Sequence, residues 1–196
     1  MKALKFGFSS VMFDGSALPY EENIRKTALV CKVAHVFGAT VEAELGAMPH
    51  NLKGELREYT PEDFYTRPDE AARFVAETGV DALAISFGTI HGVYKTAPKL
   101  SFEVIEEVRK ATGELPLVMH GGSGLSDDDY HEVIARGIRK INYYTYGAIA
   151  AGNAVRDCVV AHGDGKIMFH DIAVCAADAI YADVKRVMRL FRPEVA

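Results

Sequence analysis

Five times along this chain a short apolar or β-branched run is followed by a segment of helical length, and that alternation restricts the fold more than any other feature. The runs are Ser9–Phe13, closing at Asp14, then Thr40–Leu45, Ala82–Phe87, Pro116–Met119 and Ile138–Ile141. Between them Glu21–Phe37 spaces Ile24, Ala28, Val30, Val33, Ala34 and Phe37 along a helix that Gly38 closes. Pro68–Thr78 reads as the next helix, with proline at its first position and Gly79 past its end. Ser101 is placed to cap a helix reaching Ala111, and Ser126 to start another, with Asp127, Asp128 and Asp129 on the positive end of its dipole. Two longer helical segments follow, Thr145–Ala161 and Asp171–Phe191.

Strands this apolar, alternating with helices, belong to a parallel sheet covered by helices. A doubly wound open sheet and a barrel both satisfy the pattern. The first strand is not followed by G-x-G-x-x-G, which lowers the dinucleotide-binding version. Nothing in composition marks a linker, so residues 1–196 read as one domain. The stretch Gly46–Arg67 is long for a βα loop, and loops of that length are usually functional or mobile.

Parallel α/β folds collect their chemistry at the carboxyl ends of the strands. Here the first strand ends at Asp14, the second at Glu44, the fourth at His120 and the fifth at Asn142, while the third leads to His91. Any one of these is explained as a polar residue capping a neighbouring helix; five together point to a site. Two histidines on adjacent strands can meet at a barrel mouth, and a third nitrogen ligand would complete a catalytic zinc arrangement with one open position. Gly88 and Gly92 allow close backbone approach beside His91, with Thr89 a small polar companion.

The sharpest local signal is His120-Gly121-Gly122-Ser123-Gly124, glycines and a serine between a strand and a well-capped helix. Such a segment offers backbone N–H groups to an anion, although a plain glycine-rich turn reads the same way. Asn142-Tyr143-Tyr144-Thr145 stands in the same place one strand later. The remaining histidines are weaker: His35, His131 and His162 suit solvated helix positions, His50 lies in the long loop, and His170-Asp171 suits a helix cap.

The net charge of −5 disfavours nucleic acid and anionic membrane surfaces as partners. Cys31, Cys158 and Cys175 are an odd number without C-x-x-C spacing, which argues against a disulfide scaffold and for small buried hydrophobes in a reducing compartment. Met1-Lys2-Ala3 runs straight into Phe6-Gly7-Phe8 without a signal peptide, and no apolar run approaches the roughly 20 residues of a membrane span. A soluble cytoplasmic protein is the expectation.

Asp14-Gly15-Ser16, Val41-Glu42-Ala43-Glu44-Leu45-Gly46, Gly88-Thr89-Ile90-His91-Gly92-Val93-Tyr94, His120-Gly121-Gly122-Ser123-Gly124 and Lys140-Ile141-Asn142-Tyr143-Tyr144-Thr145 occur in the order and spacing of the class II, zinc-dependent ketose-bisphosphate aldolases, and the sequence resembles that family over essentially its whole length. The resemblance implies a TIM barrel, here a partial one of five parallel βα units plus C-terminal helices. It implies a homo-oligomeric lyase of carbohydrate metabolism and glycolysis that cleaves a ketose bisphosphate to dihydroxyacetone phosphate and an aldehyde. His91 and His120 would be Zn²⁺ ligands, and Asp14 and Glu44 match acidic positions near the metal. Gly92, Gly121, Gly122 and Ser123, with Asn142, Tyr143, Tyr144 and Thr145, would hold the phosphate of the sugar-phosphate substrate. Zinc would polarise the ketone oxygens and stabilise an enediolate, so Lys95 beside Tyr94 is not needed for a Schiff base.

Three departures accompany the resemblance. Members of the family carry three further βα units ahead of the part that matches Met1 onward, which makes this chain the expected C-terminal part of such a barrel. The third of those strands bears a catalytic aspartate beside the first zinc histidine, and Met1–Ser10 supplies neither. The long loop reads Ala47-Met48-Pro49-His50 where many members have paired glycines and acids, leaving Glu55 and Glu58 as candidates for its base. Two further readings therefore stand beside the enzyme: an inactive barrel fragment that binds metal or phosphate only, and an unrelated phosphate-binding α/β domain.

Overall fold

The computed structural model describes residues 1–46, 64–92 and 98–192. Its centre is a five-stranded sheet of β1 (Ser10–Phe13), β2 (Thr40–Leu45), β3 (Ala82–Ile85), β4 (Leu117–Met119) and β5 (Ile138–Ile141). Every pairing is parallel, and the spatial order is the chain order, β1-β2-β3-β4-β5. A doubly wound sheet reverses direction at a switch point. This one does not, and a sheet that always adds its next strand on the same side is the path of a barrel wall.

The helices between the strands are α2 (Tyr20–Val36), α3 (Pro68–Thr78), α4 (Phe102–Thr112) and α5 (Asp127–Arg136). Each of these touches the next, which makes one outer layer. Their ends follow the expected chemistry. Pro68 opens α3 and Gly79 closes it in the left-handed conformation. The Ser101 hydroxyl accepts from the Val104 N–H. Ser126 and Asp129 form a reciprocal capping box at the start of α5. A short α1 (Lys2–Lys5) precedes β1, where no helix was expected.

The two faces of the sheet separate cleanly by alternation. Val41, Ala43 and Leu45 of β2, Leu83, Ile85 and Phe87 of and beyond β3, and Leu117 and Met119 of β4 join the apolar core beneath the helices, with Phe74, Ile105, Val108 and Val133. The opposite parity carries Glu42, Glu44, Ala84, Val118 and Lys140, and the register sets Glu44 beside Ala84, Ala84 beside Val118 and Val118 beside Lys140. That second set faces the inside of the barrel wall.

After β5 come α6 (Thr145–His162) and α7 (Phe169–Leu190), packed on each other as a hairpin. The far end of α7 is tied to the barrel: Val187 is buried, and Leu190 and Phe191 pack against the core. No helix among the described residues is long and apolar enough to cross a membrane.

Candidate active site

The strand ends meet as the alternation requires. Gly121 has φ +65°, and a Cβ there would collide with the backbone of Ile90. Only glycine permits both the left-handed backbone and the close approach. The loop after β3 therefore lies directly on the loop after β4, and the rings of His91 and His120 come within 5.9 Å, centroid to centroid.

His120 is buried, 4% exposed, and both its ring nitrogens face carboxylates. Nε2 lies 2.8 Å from Glu42 Oε1 and Nδ1 lies 2.9 Å from Glu44 Oε2. Burial alone would lower the basicity of this ring, but the hydrogen bonds it donates to Glu42 and Glu44 outweigh it and raise the pKa to about 9. Burial would likewise raise the Glu42 carboxyl; His120 and Lys140 together hold it below its usual range. The second oxygen of Glu42 accepts from Lys140 Nζ at 2.7 Å, and the same ammonium donates to Asn142 Oδ1 at 2.7 Å. One polar network thus joins β2, the end of β4 and β5.

The glycine-rich segment is equally constrained. Ser123 is buried, and its hydroxyl oxygen accepts from the Tyr144 N–H at 3.2 Å and the Thr145 N–H at 3.0 Å. It caps α6 from across the loop, where that helix has no side-chain cap of its own. The Tyr130 hydroxyl donates to the Gly122 carbonyl. A trans peptide holds its C=O and N–H on opposite sides, so the next N–H, that of Ser123, is directed away from Tyr130.

Other expected site residues are dispersed. Gly92 follows His91 and has φ +97°. Tyr143 turns outward: its hydroxyl donates to Asp183 on α7 at 2.8 Å and its ring lies edge-on to Phe191. Burial and that carboxylate push its pKa up to about 12. The Tyr144 side chain is exposed. Asp14 stands exposed at the end of β1, accepting from the N–H and hydroxyl of Ser16. His50, Glu55, Glu58, Tyr94 and Lys95 lie outside the described residues.

Among the remaining histidines, His35 bonds Asp81 at 2.8 Å and His162 bonds the Cys158 carbonyl at 2.9 Å, both on the surface. Beside His170, Asp171 caps α7 by accepting from the Met168 N–H. Glu42 and Lys140 are the participants sequence reasoning passed over. The signal was present: Glu42 and Glu44, two apart in a strand, must share a face, as must Lys140 and Asn142.

The donor chemistry of the His91–His120 pair suits a divalent ion of the zinc class, with two imidazoles side by side and a carboxylate on each ring nitrogen of His120. Among the described residues no third histidine, cysteine, aspartate or glutamate joins them to complete a ligand set.

Comparison with known proteins identifies the family. The family model described as class-II fructose-bisphosphate aldolase matches residues 1–194. A sulfofructosephosphate aldolase of Alkalicoccus urumqiensis is 38% identical over 194 residues, covering 99% of this chain and 67% of that protein. A fructose-bisphosphate aldolase of Staphylococcus aureus (strain Mu50) is 43% identical over 157 residues, covering 80% of this chain and 53% of its own length. The crystal structure of the YdjI aldolase from Escherichia coli K12 superposes with a TM-score of 0.81 at 38% identity, over 98% of this chain and 64% of that one. The chain therefore spans between 53% and 67% of the length of these proteins.

Proposed function

The chain belongs to the class-II fructose-bisphosphate aldolase family, and we propose that it supplies the metal- and phosphate-binding part of a site for reversible aldol cleavage of a ketose bisphosphate, releasing dihydroxyacetone phosphate. The family works with a divalent metal. Zinc is the reading favoured here, because two apposed imidazoles, with the Glu42 carboxylate behind one ring, are nitrogen ligands of the kind that ion takes. That apposition, beside the Gly121–Ser123 loop, is the observation that carries the proposal.

In this reading His91 and His120 hold the ion, which supplies Lewis-acid polarisation of the ketone. The rest falls to the chain itself. Glu44, buried at the Nδ1 side of His120, sets a carboxyl group next to the ion site. The Gly121–Ser123 backbone, oriented by Tyr130, presents an N–H toward the substrate phosphate, and Ser123 holds the start of α6 beside it. Gly92, Asn142 and Thr145 would complete the phosphate pocket. Asp14 is the candidate for a second cation. The partner chemistry is a sugar phosphate, and assembly into a homo-oligomer belongs to the same proposal.

The test is release of dihydroxyacetone phosphate from fructose and tagatose bisphosphates, with and without chelator, for the wild-type chain and His120→Ala. Turnover indifferent to chelation would end the metal reading. A second reading, binding of metal or phosphate without turnover, is favoured by one specific observation. The described strands leave the sheet open at β1 and β5, whereas a closed wall of this type takes eight strands. Zinc bound at one equivalent with no turnover of either sugar supports that second reading.

A further inference from the structure

The inner-face network contains more than a metal half-site requires, and it has a direction. Glu42 divides its carboxylate between two partners, with Oε1 on His120 Nε2 and Oε2 on Lys140 Nζ. Lys140 is itself anchored by Asn142. The side chain of Glu42 is 7% exposed and that of His120 5%, so both groups are desolvated, while Lys140 stays half in solvent. Burying such groups is costly, and apolar side chains of equal volume would serve stability as well or better. The network therefore calls for a reason other than stability, and orientation of a ring is one that hydrogen bonding supplies well. A metal-bound histidine is characteristically aimed by an acceptor on its other ring N–H.

The order along β2 decides which nitrogen is which. Glu42 precedes Glu44 by two residues on the same face, so it lies farther from the carboxyl ends of the strands. His120 Nε2, on Glu42, is directed into the barrel. Nδ1, on Glu44, is directed to the mouth, where the Gly121 loop holds His91 alongside.

We propose that Glu42 and Lys140 are positioning residues: Glu42 holds the Nε2–H of His120, Lys140 holds Glu42, and Nδ1 is left as the metal-binding nitrogen, with Glu44 the carboxylate that yields its place to the ion. This rests on the metal reading above. Neither residue touches the ion. Lys140 acts only through Glu42, and the pair fixes the ring plane and its tautomer from the side away from the substrate.

The full chain is titrated with Zn²⁺ in competition with a chromophoric chelator, as wild type, Glu42→Gln, Lys140→Met, Lys140→Arg and the Glu42→Gln/Lys140→Met double variant. Glu42→Gln is expected to weaken Zn²⁺ binding about 10- to 100-fold. Lys140→Met should lose less, Lys140→Arg should restore binding, and the double variant should match Glu42→Gln alone, because the two residues form one chain of contacts. Nitrogen-15 spectra of the zinc-loaded imidazoles should show His120 protonated at Nε2 and shifted by metal at Nδ1. Wild-type affinity in both Glu42→Gln and Lys140→Met, full additivity in the double, or metal on Nε2 overturns the brace while leaving the metal site intact. A wild-type chain that binds no Zn²⁺ overturns the metal reading and the brace with it. If Glu42→Gln does not fold, as a thermal melt would show, the two Lys140 variants and the spectra still decide.

Discussion

On the inner face Glu42 and Glu44 of β2 and His120 just past β4 are buried and paired, with the half-exposed Lys140 of β5 joined to them, whereas the α6–α7 hairpin carries large apolar side chains that stand in solvent. Among the described residues no buried side-chain nitrogen or oxygen lacks a partner, His120, Glu42 and Glu44 included. On the hairpin Ile149, Val160, Phe169, Val174, Tyr181 and Met188 are all exposed, and α7 shows a groove lined by Ile180, Tyr181, Val184 and Met188 with Lys185 and Arg189. Desolvated charge tolerates no loose end, because an unpaired buried ion costs several kcal/mol, so its partners are specified within the wall itself. Exposed apolar surface costs less per residue. The network is thus closed locally, while the hairpin is held mainly by its own packing and by Val187, Leu190 and Phe191 at one end.

The comparison breaks most sharply at Glu42. Glu42→Ala should destabilise the fold by about 3–5 kcal/mol in urea denaturation, because it strips one partner from a buried ion pair; a loss under about 1 kcal/mol would mean the inner face is solvated rather than closed. Gly121→Ala comes next, at roughly 1–3 kcal/mol for the left-handed backbone alone. Its collision with Ile90 should also separate His91 from His120, read as weaker Zn²⁺ binding. Tyr130→Phe leaves the Gly122 carbonyl without that donor and should cost about 1–3 kcal/mol, with inorganic phosphate binding weakened if the loop turns. On the hairpin, Met188→Ser should change stability by no more than about 0.5 kcal/mol, as ordinary surface substitutions do. A cost there as large as at Glu42 would show that the α7 face is covered in solution, and the contrast between the two regions would fall.

Much of this was legible in the residues. Pro68, Gly79, Ser101 and Ser126 announce helix ends because their chemistry acts within one turn, and each performs the expected part. Alternation in β2 separates Val41, Ala43 and Leu45 from Glu42 and Glu44 before any fold is known. The roles inside the network were not legible. Lys140 meets Glu42 across 98 positions of chain, and no local pattern carries that distance. The same holds for Ser123, which reads as part of a glycine loop and proves to cap a helix from across it. Tyr143 reads with its neighbours as a phosphate contact, yet its side chain is committed to Asp183 of α7.

The sequence by itself determined the five βα units, their parallel pairing and the kinds of polar side chain at the strand ends, because period, capping and strand polarity are properties of short segments. Residue patterning alone left an open sheet and a barrel both possible and the family resemblance implied the barrel; the tertiary structure bears the barrel path out, since strand order depends on where each helix returns the chain. It also decided that His91 faces His120, because that contact exists through a glycine narrow enough to admit a neighbouring loop. And it joined Glu42 and Lys140 to His120, because a network of side chains is a fact of three dimensions that the order of residues does not contain.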